Sequence, residues 1–130
     1  MPVRIVRLGS PRAPNEGTRI GTVRRPPRGV PRDQFAAQDW YDAWLPNLAP
    51  SAEAVKQALA AHSDAEWAEF ARRYRREMAE PDRRHLLDTL AQLSRQANFS
   101  VGCYCESEAR CHRSLLRELL AQAGADIRED

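Results

Sequence analysis

Asn98-Phe-Ser-Val-Gly-Cys-Tyr-Cys105 is the stretch whose reading decides the fold. It is short and almost wholly apolar, the pattern of a central strand covered on both faces rather than of a half-solvated edge. Just after it, Cys111 to about Ala123 carries Leu115, Leu116, Leu119 and Leu120 at helical spacing, with Gly124 as a stop. A buried strand feeding a helix predicts an α/β unit.

Working outward, Val3-Arg-Ile-Val-Arg-Leu8 alternates apolar and basic residues with period two, a strand signature. Gly9 to Gly17 is dense in turn formers and predicts a loop, and Thr18 to Arg24 predicts a second strand. Arg24-Arg-Pro-Pro-Arg-Gly-Val-Pro31 cannot hold regular structure and predicts a stiff basic loop. Phe35 to Leu45 places Trp40, Tyr41, Trp44 and Leu45 at helical spacing, so a helix is expected there, ended by Pro46. Ser51 starts the next helix, and Ser63-Asp-Ala-Glu66 is a capping box opening a third, which buries Trp67, Phe70, Ala71, Tyr74 and Met78. Pro81 opens another, with Leu86, Leu87, Leu90 and Leu93 inward. The expected whole is one small α/β domain over residues 1–130, with a three- to four-stranded, largely parallel sheet flanked by helices.

All three cysteines fall in Cys103-Tyr-Cys-Glu-Ser-Glu-Ala-Arg-Cys-His-Arg113. Ligands in open α/β sheets bind beyond the carboxyl ends of strands, where helix amides point. Cys103 and Cys105 are expected at that end of the last strand, facing one side, with Cys111, His112 and Arg113 at the first turn of the last helix. The helix terminus with Arg110 and Arg113 favours thiolate; His112 serves as general base or as its cationic partner, and Arg113 clamps an anion. Three readings of this run stay open. A thiol site would use Cys103, Cys111, His112 and Arg113; a zinc site would use Cys103, Cys105, Cys111 and His112; or the residues are structural. Against zinc, adjacent residues inside a helix point about 100° apart, so Cys111 and His112 would seldom share an ion. The loop from Cys105 to Arg110 only loosely resembles the anion cradle of cysteine phosphatases and sulfurtransferases, because Arg110 follows Cys105 by five positions and Cys103 by seven, not by six.

Residues 1–32 hold eight arginines against Glu16 alone, a net +7 that leaves −5 for the rest of a chain of net +2. That edge can attract an anionic substrate or nucleic acid. It has no aromatic residue before Phe35 on which bases could stack, so nucleic acid is the less favoured partner. An odd cysteine count argues against a disulfide scaffold, and no apolar run is long enough for a membrane span. The start of the chain lacks a signal-peptide pattern, so the expected location is cytoplasmic.

At several places the sequence resembles the DUF488 family, in particular its YeaO-like branch. Cys103 followed by Cys111-His112-Arg113-Ser114 matches the late motif of the wider family. Gly17, Arg19, Ile20, Arg24, Pro27, Arg28 and Gly29 fall into the front motif of the YeaO-like branch. Trp44-Leu45, Leu48 to Ser51, and His62 through Trp67, Phe70 and Tyr74 follow its central stretch. Val23 stands where that branch has an acid, so no carboxylate chemistry is expected there, and the Cys-His-Arg ending belongs to the other branch. The resemblance implies an α/β fold with a pocket joining the arginine loop to the late motif. It supplies no reaction; a methyltransferase label on some members finds no glycine-rich cofactor loop here. The expectation is therefore a cysteine-dependent enzyme acting on an anionic small molecule. Cys103, Cys111, His112 and Arg113 would be its catalytic set, and Arg24, Arg28, Arg110 and His62 would bind substrate, with no cofactor or resident metal. The alternative is a non-catalytic zinc- or nucleic-acid-binding module.

Overall fold

The computed structural model describes residues 2–105 and 108–129. Five parallel strands lie in the order β3-β2-β4-β1-β5: β1 Val3–Arg7, β2 Thr18–Gly21, β3 Ala43–Trp44, β4 Phe99–Cys103 and β5 Ile127–Arg128. Among the described residues four helices accompany them: α1 Ala52–Ala60, α2 Asp64–Met78, α3 Pro81–Leu93 and α4 His112–Gln122. β4 sits between β1 and β2 and is buried at every residue, as its run, apolar apart from Ser100, predicts.

The two faces of the sheet differ. Val3, Phe99 and Val101 join Phe70, Tyr74, Met78, Leu87, Leu90, Leu115, Leu116 and Leu120 in the main core, with Ile5 and Ile20 packed against it. Strand alternation sends Arg4, Arg19 and Ser100 to the opposite face. There Arg19, fully buried, donates from Nε and Nη2 to the Glu16 carboxylate (2.8 and 3.1 Å) and from Nη1 to the carbonyls of Ser10 and Asp39. Ser100 Oγ donates to the same carboxylate at 2.6 Å. Burial alone would push the Glu16 carboxyl up, but bonds from Arg19, Ser100 and the Ala13 amide, with the Arg19 charge, hold it at about 2.

Three expectations need correction. Phe35 to Leu45 is not a helix: a 3-10 turn over Arg32–Gln34 leads into turns and then β3. Asp39 there has φ 62°, a left-handed conformation that no helix interior tolerates. The aromatic spacing instead serves separate contacts, since Tyr41 packs on Gly21, Trp40 lies edge-on to Tyr104, and Trp44 Nε1 donates to the Val23 carbonyl at 2.7 Å. A Cβ at Gly21 would come within 2.3 Å of the Tyr41 ring. Second, β2 ends at Gly21 rather than Arg24. Third, β3 and β5 are only two residues long, too short to carry a periodic signal, which is why the sheet has five strands.

Candidate functional site

Leu8 N–H donates to the Cys103 carbonyl and Thr22 N–H to that of Gly102, so the ends of β1, β4 and β2 meet at the carboxyl edge of the sheet. Opposite them α4 begins. Cys111 is its N-cap, in an extended conformation, and Cys111 Sγ accepts the Arg113 N–H at 3.5 Å. Because Cys111 lies outside the helix proper, the 100° divergence expected between it and His112 does not apply. The Cys103 and Cys111 sulfurs are in contact, and His112 Nδ1 lies 3.8 Å from Cys111 Sγ. One ligand atom from each of the three residues falls within 4.8 Å of the others.

His112 Nε2 lies 2.8 Å from the Thr22 carbonyl, which can only accept, so Nε2 carries the proton and Nδ1 turns its lone pair toward the sulfurs. Burial pushes the imidazole down to about 4, aided by the Arg113 charge and opposed by the Thr22 bond. With no thiolate charge beside it, the ring is therefore neutral at pH 7. Arg113 is buried too; Nη2 donates to the Cys105 carbonyl at 2.7 Å, while Nε has no hydrogen-bond partner. Cys105 lies past the strand end and is exposed, apart from the other two cysteines; desolvation raises its thiol, against the pull of Arg113.

Cys103 and Cys111 are 1% and 2% exposed, under a cover of Leu8, Val23 and Tyr41, with Phe35, Trp40 and Tyr104 around them. An open hollow was expected; the sulfurs are roofed instead. The arginine turn does adjoin the cluster, since Thr22 holds His112 and Tyr104 Oη donates to the Arg25 carbonyl. Arg24 is half-buried and donates to the Pro50 carbonyl, and Arg28 is exposed beside Gly29. Arg110 pairs with Asp64 and lies over the Trp67 ring, at the start of α2 near exposed His62. Glu106 and Ser107, in the loop compared with anion cradles, lie outside the described residues.

Two residues at this edge escaped sequence reading. Tyr41 packs with both sulfurs in one cluster, its buried hydroxyl unpartnered and its ionisation pushed up by burial, so it stays a neutral donor. Arg7, opposite Cys103 in register, contributes positive charge at Arg113. Neither carries a motif; both are recognised only once strand ends are aligned. No helix among the described residues is long and apolar enough to cross a membrane.

No curated protein and no solved structure matches the chain significantly. A family model does match, over residues 3–124, from the first strand through the helix that Cys111 caps. That span takes in the whole cysteine–histidine cluster and nearly all of the sheet, and so the chain belongs to the DUF488-N3a family, described as the active DUF488-N3 subclade.

Proposed function

We propose that the chain is a cysteine-dependent enzyme acting on an anionic small molecule, with Cys111 as nucleophile. The observation that carries this reading is the position of Cys111 Sγ, which accepts a first-turn amide of α4 beside the lone pair of a neutral imidazole. The amide favours thiolate over thiol through the helix dipole, and the imidazole, too weak a base at about 4 to keep the proton, relays it. In the step, Cys111 sulfur forms a bond to an electrophilic atom of the substrate. The leaving group departs with its electron pair and picks up the thiol proton, which His112 Nδ1 relays. Arg113 Nε, buried and unpartnered, is the contact for the anionic group, and the Tyr41 hydroxyl donates to developing negative charge. The description of the family as active supports an enzyme. Free thiols in this role fit a reducing, cytoplasmic setting.

The test uses reduced protein and two alkylating probes of similar size, anionic iodoacetate and neutral iodoacetamide, with peptide mapping. Iodoacetate is expected to label Cys111 ahead of Cys105 and to outpace iodoacetamide there by roughly tenfold. Arg113→Lys, which keeps charge but loses the planar fork, should shrink that preference, and Cys111→Ser should abolish the fast phase. Labelling confined to Cys105 in folded protein, or an unchanged preference in Arg113→Lys, would overturn the reading.

A second reading is favoured by the convergence of Cys103 Sγ, Cys111 Sγ and a His112 nitrogen within 4.8 Å. Two thiolates and an imidazole suit zinc, and His112 Nε2–H on the Thr22 carbonyl is the outer hydrogen bond a zinc-ligating histidine usually makes. The Cα atoms of Cys103 and Cys111 are 7.9 Å apart, wider than the ~4.4–6.8 Å of most disulfides. Zinc held there would supply Lewis-acid polarisation with a fourth position left for a ligand. Stoichiometric zinc in purified protein, lost in Cys103→Ser, would select this reading, because ligated sulfurs would also resist both alkylating probes.

A further inference from the structure

The opposite edge of the sheet holds a second constellation, remote in the strand direction from the cysteines. Arg4 is the second residue of β1, Asn98 directly precedes β4, and Arg128 ends β5. In parallel strands these positions lie together at the amino end, and they line one cleft of about 380 Å³ with Ala13, Pro14 and Asn15 of the loop between β1 and β2. Arg4 is only 6% exposed. Its Nη1 reaches the Asn15 carbonyl at 3.4 Å, but its Nε has no partner, and neither does the buried Oδ1 of Asn98.

Buried polar groups are almost always hydrogen-bonded, because an unmet one costs about 1–3 kcal/mol. Two unmet groups on the walls of one cleft mark a place that is completed by something else. One water could answer both atoms, but the cleft has the size of a small-molecule pocket and is flanked by two guanidinium groups. The nearest buried acid on this face, Glu16, is already held by Arg19, Ser100 and the Ala13 amide, so its charge is matched. Gly17 keeps the loop close: with φ 79°, a Cβ there would come within 2.0 Å of the Asn98 carbonyl oxygen.

We propose that this amino-edge cleft binds a small oxyanion, a phosphate or carboxylate group of a molecule that also offers a hydroxyl or amine to Asn98. Arg4 Nε donates to the oxyanion, and Arg128, which has a partner of its own, adds positive charge at the cleft wall; Asn98 Oδ1 accepts from the neighbouring hydroxyl or amine. The site is separate from the thiol chemistry, and its success or failure leaves the cysteine reading untouched.

The test is titration of full-length protein with inorganic phosphate, acetate and glycerol 3-phosphate, followed by the NMR resonances of Arg Nε–H groups and the Asn98 side-chain amide. Saturable shifts at Arg4 and Asn98 are expected, with the phosphate ester binding more tightly than inorganic phosphate because only it brings a hydroxyl. Arg128→Ala lies on the exposed edge strand and should fold normally; it should weaken binding roughly tenfold. Asn98→Asp should weaken it by at least as much through like charge. Unchanged affinity in both variants, or no saturation by about 20 mM of any probe, would overturn the proposal. Iodoacetate labelling of Cys111 in Arg128→Ala serves as the independent readout and is expected to match the parent protein.

Discussion

At the scale of single residues, His112 carries the most consequence. Its ring was recognisable in the Cys-His-Arg run, but its charge was not, because Tyr74 packs on it from α2 and the Thr22 carbonyl comes from 90 positions away. A histidine held at about 4 in the folded chain takes its proton near 6.5 once unfolded. Between those values the unfolded state binds more protons, so stability is full above about pH 6.5 and falls as pH drops through 4. The loss over that window is on the order of 2–3 kcal/mol. In His112→Gln, whose amide still donates to Thr22, denaturation midpoints between pH 7 and 4.5 should stay nearly flat while those of the parent decline. A parallel decline in both proteins would show that the imidazole does not titrate as the geometry requires. The role of Arg19 was equally opaque: on sequence it is a cation of a basic segment and a member of the front motif, and only strand alternation turns it inward against Glu16.

At the scale of elements, caps were legible and irregular segments were not. Ser51 and Ser63 each accept the amide three residues on, as their spacing required. Glu66 reaches back to the His62 amide, one position earlier than expected, and to the Ser63 hydroxyl. Ser63→Ala should cost about 1 kcal/mol, read as a lower urea midpoint with an unchanged slope. The N-cap of α4 is the unusual one, because a sulfur stands where an oxygen normally does. Cys111→Ser supplies the preferred cap, so it should unfold at the same or a slightly higher urea concentration than the parent. Marked destabilisation of that variant would mean the sulfur is held by something besides packing, and a lost zinc ligand is the obvious source. The segment from Phe35 to Leu45 misled because aromatic spacing alone does not say whether one core or several receive the rings. Here Tyr41 goes to the cysteine cluster, whereas the Trp44 indole turns to the Val23 carbonyl.

At the scale of the whole molecule, the parallel sheet places the cysteine cluster and the Arg4 cleft at opposite strand ends, the cysteines at the carboxyl edge and the cleft at the amino edge. What holds the non-helical face between them is polar: Glu16 fastens the loop after β1 to both β2 and β4 through Arg19 and Ser100. An apolar face would have announced itself as alternation; this one is built from residues that sequence patterns assign to the surface. Removing one partner of such a buried pair typically costs about 3–5 kcal/mol. Glu16→Gln should therefore be among the most damaging single changes outside the apolar core, with its effect concentrated on the face that bears both Tyr41 and the cleft. The same pair sets the lower limit of acid tolerance. Glu16 is protonated at about 2 in the folded chain against an ordinary 4.5, so its contribution is present above pH 4.5 and is lost as pH falls toward 2. That window lies below most of the one governed by His112. Acid unfolding of the parent should thus steepen in two stages, the upper removed by His112→Gln and the lower by Glu16→Gln, with urea midpoints across pH 7 to 2 as the measurement. A lower stage that persists in Glu16→Gln would assign it to other carboxylates, such as Asp42, which its bonds from Arg12 and the Arg19 amide also hold below its usual range against the effect of burial.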